Sequence, residues 1–236
     1  YGFESFAFFD DIFSLDRDRT LELCRRMAAL PWRPSWVCQT RVDRVDREML
    51  QLMARAGCAG ISFGVESGNQ EIIDKLGKGI TLDQTRQAFR LCREARIPSF
   101  AFFVLGTPWE TADSFQQTCA FARELRPTNA IFFTATPFPG TRLREIYLER
   151  NLPLPSGYSE YDHYQAGVGL KHSSRENPGT ERPGGDLCGR ARRNFLSFQV
   201  AAVRDHPRLF RENLCRFGFR GFASRTLSHV RRTLPF

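Results

Sequence analysis

No apolar run of 18 residues occurs in the 236-residue chain, so the sequence encodes no membrane-spanning helix. No secretory leader opens it. It begins at Tyr1 rather than Met and enters the strand-like ESFAFF almost at once, so it reads as a fragment of a longer protein. CxxC and CxxxCxxC are both missing. The seven cysteines stand at positions 24, 38, 58, 92, 119, 188 and 215, and the closest pair, Cys24 and Cys38, is 14 positions apart. That spacing gives no local zinc or iron–sulfur ligand set. Several of these cysteines fall at apolar helix positions and read as small core hydrophobes. An odd count without a leader fits a reducing cytoplasm. No Lys/Arg run is long, although the net charge is +8. The basic balance therefore reads as solvated Arg-rich helix faces, not as a patch for nucleic acid or anionic membrane.

What is present is enough for a core: 42% hydrophobic residues, with 22 Phe against 3 Met and 3 Trp. The first 150 residues alternate strand and helix. Strands are expected at 5–11, 35–41, 59–66, 99–106 and 130–137. Asp16 and Asp46 stand where helix N-caps belong, Thr81 with Gln84 forms a capping-box pattern, and Gly57 is a helix stop. Between the strands run apolar stripes of helical period, such as Thr85, Ala88–Phe89, Cys92 and Ala95. The strands look apolar throughout, which predicts burial on both faces and a parallel sheet. Either a TIM-like barrel or an open doubly wound sheet fits this rhythm. Residues 1–150 are thus expected to form an α/β barrel domain. A loop-rich linker is expected at 151–186, and a basic helical extension at 187–236 with Phe195, Phe198, Val203, Leu209, Phe210 and Leu214 as candidate docking residues. The linker carries His163, His172 and several tyrosines in no readable pattern.

In parallel βα folds, reactive groups gather at the C-terminal strand ends. Those ends carry Asp10 and Asp11; Gln39 and Arg41; Glu66 and Ser67; Gly106, Thr107, Pro108 and, slightly beyond, Glu110; and Thr136, Pro137, Pro139, Gly140 and Thr141. Each group alone also reads as a cap, a turn or a surface ion pair. Five in register are harder to read as idle. Glu66 closes an apolar strand, ISFGVE, where an unpaired charge is costly, and Arg41 is its expected partner. A strand-tip carboxylate can accept two ribose hydroxyls. Neighbouring acids can hold an ammonium, an arginine can hold a carboxylate, and a glycine turn admits a flat ring. Ammonium, carboxylate, ribose and adenine together describe S-adenosylmethionine.

The segments FFDDIF, WVCQTRVD, LMARAGCAGISFGVESGNQEIIDKLGKGIT, FFVLGTPWET and ATPFPGT, in that order, resemble the radical S-adenosylmethionine enzymes. The resemblance extends to the subfamily that often carries an upstream cobalamin-binding domain, and it covers about residues 3–155. It implies a partial (β/α)6 barrel whose first strand lies before Tyr1. It also implies S-adenosylmethionine and a [4Fe–4S] cluster across the strand ends, with electron transfer releasing a 5′-deoxyadenosyl radical that abstracts hydrogen from substrate. Carried over by position, Asp10 and Asp11 match acids near the methionyl amine, and Glu66 with Ser67 matches the ribose position. Gly106 and Pro108 match the adenine turn, and Pro137 to Gly140 match the last strand's turn. The family binds its cluster through CxxxCxxC, which this chain lacks. The cluster ligands are therefore expected upstream of Tyr1, and this chain alone is expected to be inactive. The implied partners are a small-molecule substrate, a reductant such as flavodoxin or ferredoxin, and, through an upstream domain, cobalamin. The expected reaction is methyl transfer, cyclisation or rearrangement. The alternatives are a non-catalytic barrel remnant that binds a partner, and a tRNA-modifying enzyme.

Overall fold

The computed structural model describes residues 5–155, 157 and 161. Most of the expected linker and all of the expected helical extension lie outside the described residues. Among the described residues, five strands and six helices follow one another: β1 (Ser5–Ala7), α1 (Arg17–Ala28), β2 (Ser35–Thr40), α2 (Arg47–Arg55), β3 (Cys58–Glu66), α3 (Gln70–Lys75), α4 (Leu82–Glu94), β4 (Ser99–Leu105), α5 (Ala112–Leu125), β5 (Asn129–Thr134) and α6 (Arg142–Glu149). A 3-10 turn, Val42–Arg44, follows β2.

Helix starts follow local chemistry. The Asp16 and Asp46 carboxylates accept the N–H groups of Arg19 and Met49. Thr81 with Gln84 and Thr111 with Ser114 close reciprocal capping boxes, satisfying amides that the helix leaves unpaired. The short α3, capped by Asn69, has no counterpart in the sequence reading, because six residues are too few to show a 3.6-residue period.

All strand pairs are parallel and lie in chain order, β1-β2-β3-β4-β5. A doubly wound sheet reverses its strand order at a switch point. This sheet does not, and it curls into a partial TIM-like half-barrel. α1 packs on α2, α2 on α4 and α4 on α5, as expected for one helical layer wound by right-handed crossovers.

That layer corrects the expectation of burial on both faces. Trp36, Cys38, Ile61, Phe63, Val65, Ala101, Phe103 and Leu105 are buried, and Leu105 packs with Phe115 and Cys119 of α5. Alternate residues point the other way and stay half-buried or exposed: Val37 and Gln39 on β2, Ser62 and Gly64 on β3, Phe100, Phe102 and Val104 on β4. The concave face is as apolar in sequence as the convex one, so the strands do not read as alternating although their burial alternates. Phe102 meets Phe133 edge-on on this inner face, while Phe103 stacks on Phe132 on the helix side.

The described cysteines, 24, 38, 58, 92 and 119, are all buried, as core thiols are expected to be. Burial pushes Cys24 and Cys92 up to about 12, which leaves them un-ionised and inert. No helix among the described residues is long and apolar enough to cross a membrane.

One-sided burial has a mutational signature. Phe103→Ala should cost about 3–5 kcal/mol, the usual cost of deleting a buried phenylalanine, and Phe102→Ala roughly half of that. Urea unfolding of the two variants gives the comparison; equal costs would mean that both faces are packed alike.

Candidate functional site

The strand ends carry the polar groups, and β3 carries the most constrained of them. Its pairing with β4 slips between Gly64 and Glu66, a bulge, and Glu66 sits at φ 67°. A left-handed non-glycine residue is strained and persists only where its surroundings hold it. The holding contact is an ion pair between the Glu66 carboxylate and the Lys78 ammonium. The pair lies directly over Gly64, where an added Cβ would stand 2.5 Å from Glu66 Oε1 and 2.7 Å from Lys78 Nζ. A side chain at this position would push the flexible ends of the pair aside, so Gly64 leaves room for the pair to settle onto the strand.

Arg41 is not the partner of Glu66. It forks onto Asp43 (2.9 and 3.0 Å) and donates to the Lys78 carbonyl oxygen at 2.8 Å. Arg41 thus pins the loop that delivers Lys78, and less of its guanidinium is left for a ligand. Lys78 escaped the sequence reading. Its only signal is the GKG triplet, whose glycines 77 and 79 both adopt positive φ and turn the loop back over β3.

Ser67 is fully buried. Its hydroxyl bonds with Thr118 Oγ1 at 3.1 Å, and the same oxygen accepts the Gly68 N–H at 3.0 Å. Ser67 therefore anchors the end of β3 to α5, and this hydrogen bond faces away from the open mouth.

Beyond β1, Asp10 and Asp11 are exposed. Asp10 meets Arg19 at 3.4 Å, and the neighbouring Phe9 is 90% exposed. Beyond β4, Gly106 takes φ 77° and donates its N–H to the Glu110 carboxylate. Within this turn Thr107 Oγ1 is buried without a hydrogen-bond partner among the described residues. Arg150 of α6 donates to the Pro108 carbonyl oxygen at 3.3 Å and lies over the Trp109 ring. Beyond β5, Pro137 is buried, while Phe138, Pro139 and Gly140 are exposed ahead of Thr141, the cap of α6.

A parallel half-barrel with charged and turn-forming groups gathered at its strand ends defines a class of proteins that bind ligands across that rim. The sequence model described as the radical SAM superfamily matches residues 2–122, and the chain belongs to that superfamily. An uncharacterized methyltransferase of Pyrococcus horikoshii is 32% identical over 176 residues, covering 75% of this chain and 38% of that protein. An anaerobic magnesium-protoporphyrin IX monomethyl ester cyclase of Cereibacter sphaeroides is 33% identical over 147 residues, 61% of this chain and 24% of the cyclase. The chain therefore spans well under half the length of these relatives. Among solved structures, the radical S-adenosylmethionine methyltransferase TsrM of Kitasatospora setae, determined with cobalamin and a [4Fe–4S] cluster bound, aligns with TM-score 0.58 and 24% identity, over 66% of this chain and 33% of that one. It shares the fold.

The family uses S-adenosylmethionine and a [4Fe–4S] cluster. The two fit the described residues differently. The described cysteines are buried, and no group of three metal-ligating side chains exists among the described residues, so these residues do not fit a cluster. The rim offers groups of the kind S-adenosylmethionine needs: both signs of charge, the Gly106 turn and the unmet hydroxyl of Thr107 among the described residues.

The β3–α5 anchor can be tested alone. Thr118→Val keeps the shape but removes the hydroxyl that meets Ser67 Oγ and accepts the Gly68 N–H, leaving Ser67 Oγ the Asn69 N–H. The expected loss is about 2–3 kcal/mol, the cost of leaving buried polar groups unmet, read by chemical denaturation. A loss below about 0.5 kcal/mol, the level of an idle surface change, would mean that the anchor holds nothing.

Proposed function

We propose that residues 5–155 form the S-adenosylmethionine-binding half-barrel of a radical enzyme acting on a small organic molecule. The supporting observation is the Glu66–Lys78 pair, held over Gly64 at the tip of a strand that a strained backbone terminates. A carboxylate fixed in this way suits the two hydroxyls of a ribose. Lys78, a few ångströms away, suits a carboxylate, which would then compete with Glu66 for the ammonium. Asp10 and Asp11 suit the methionyl ammonium. The turn Gly106–Pro108 suits the adenine, and Pro137 to Gly140 suit the far side of the rim. Ser67 and Arg41 act behind these groups, Ser67 by anchoring β3 and Arg41 by fixing the Lys78 loop.

When bound, S-adenosylmethionine and a reduced cluster supply one-electron chemistry on carbon that no side chain offers. The part of this chain is to hold, orient and screen. Half-buried Phe102 and Val104 on the concave face keep water from the region below the rim. Methyl transfer is the favoured reaction, in line with the Pyrococcus relative, and cyclisation stands beside it, in line with the Cereibacter one. The substrate class, a reductant such as flavodoxin or ferredoxin, the use of cobalamin and a cytoplasmic location belong to the same proposal.

Glu66→Gln tests the assignment. Charge-assisted hydrogen bonds are about twice as strong as neutral ones, so affinity for S-adenosylmethionine should fall roughly tenfold. Glu71→Gln, on the exposed first turn of α3, should leave it unchanged. Equilibrium dialysis on the full-length protein gives both constants, and an unaltered Kd for Glu66→Gln would remove Glu66 from the binding site.

A further inference from the structure

We propose that Glu110 is a proton-linked counter-charge of the strand-end mouth. It keeps a proton when no cation is bound and gives it to solvent when a cationic ligand, the sulfonium of S-adenosylmethionine, arrives. The inference rests on the cofactor reading above.

Glu110 follows β4 in the turn GTPWE, and its own N–H returns to the Thr107 carbonyl oxygen at 3.0 Å. The half-buried carboxylate accepts the Gly106 N–H. An amide is a dipole, not a counter-charge, and among the described residues Glu110 forms no ion pair. Charged groups on the adjoining elements are committed elsewhere. Arg150 of α6 donates to Pro108 O and covers Trp109. Lys78 is matched by Glu66 at the end of β3. Asp113, in the first turn of α5, accepts from Gln117 at 2.7 Å. A desolvated carboxylate without a cation favours its neutral form. Burial pushes the Glu110 carboxyl up to about 7, although the Gly106 N–H pulls the other way. Beside it, Thr107 Oγ1 is buried with no hydrogen-bond partner among the described residues.

A cation entering this mouth favours the ionised form. By linkage, loss of the proton then favours the cation equally. The step balances as Glu110–COOH plus cation giving Glu110–COO⁻ beside the cation, with one H⁺ passed to buffer. No bond in the ligand changes.

The test is calorimetric titration of the full-length protein with S-adenosylmethionine and with S-adenosylhomocysteine, in buffers of differing protonation enthalpy. Both ligands carry the same amine and adenosyl group, but only the first has the sulfonium charge. For S-adenosylmethionine the expected release at pH 7 is about half a proton, and affinity should rise about tenfold from pH 6 to pH 8. The homocysteine should release clearly less. Glu110→Gln, a neutral isostere, should erase the difference between the two ligands. Equal proton release by both ligands in the wild type, or an unchanged contrast in Glu110→Gln, overturns the proposal. S-adenosylmethionine binding without proton release overturns it and leaves the cofactor reading standing. Failure of both ligands to bind at every pH overturns the cofactor reading itself.

A ligand-free arm reads the same proton. The folded value lies above the ordinary 4.5. The stabilisation it lends is therefore fully present below about 4.5 and lost as pH rises through about 7. Wild-type Tm should fall across that window relative to Glu110→Gln; parallel curves would count against a buried proton on Glu110.

Discussion

Parallel strands joined in chain order place α1, α2, α4 and α5 in one layer on one side of the sheet, as right-handed crossovers require. The other features of this structure depend on that asymmetry. The convex face gains a layer of α1, α2, α4 and α5 and becomes the core, centred on Trp36, Phe63, Phe89, Phe103 and Phe115. Among the described residues, no helix covers the concave face. The sheet curls around it, and the strand C-termini come together at one rim, where loops reach inward without breaking the hydrogen-bond ladder.

Rim and core are coupled through the end of β3. On its helix side, Ser67 and Gly68 are bonded to Thr118 of α5. On its inner side, the bulge at Glu66 swings a carboxylate over Gly64 to meet Lys78. The strain of a left-handed glutamate is thus offset from two directions: a buried hydrogen-bond cluster behind it and an ion pair before it. Arg41 extends the same logic by fixing the carbonyl oxygen of the residue whose ammonium Glu66 needs. The rim is a set of residues that hold one another, so the loss of one member is felt by its neighbours.

Two carboxylates of the rim, Glu66 and Glu110, differ in what surrounds them. Glu66 has an ammonium partner; among the described residues the half-buried Glu110 carboxylate meets a backbone N–H and no cation. One fold thereby presents an ion-paired carboxylate and, among the described residues, one without an ion partner at adjoining strand ends. This arrangement suits a pocket that must meet a ligand bearing charges of both signs.

Much of this was legible in the sequence, and the rest was not, for reasons of range. Caps, helix stripes, strand order along the chain and the acidic or glycine-rich strand tips depend on residues within a few positions of each other, so Asp16, Asp46, Thr81, Glu66 and Gly106 could be read directly. The identity of the partner of Glu66, the commitment of Ser67 to α5 and the lack of an ion partner for Glu110 among the described residues depend on residues 12 or more positions apart or on what is missing nearby, and local pattern carries no record of either. The apolar strands also concealed their own asymmetry, because inner and outer residues are alike in hydrophobicity and differ only in whether a helix covers them. The sequence alone determined the elements and the chemistry available at their ends. Tertiary structure decided which charges meet and which face stays open, because burial and pairing are properties of space that chain order does not encode.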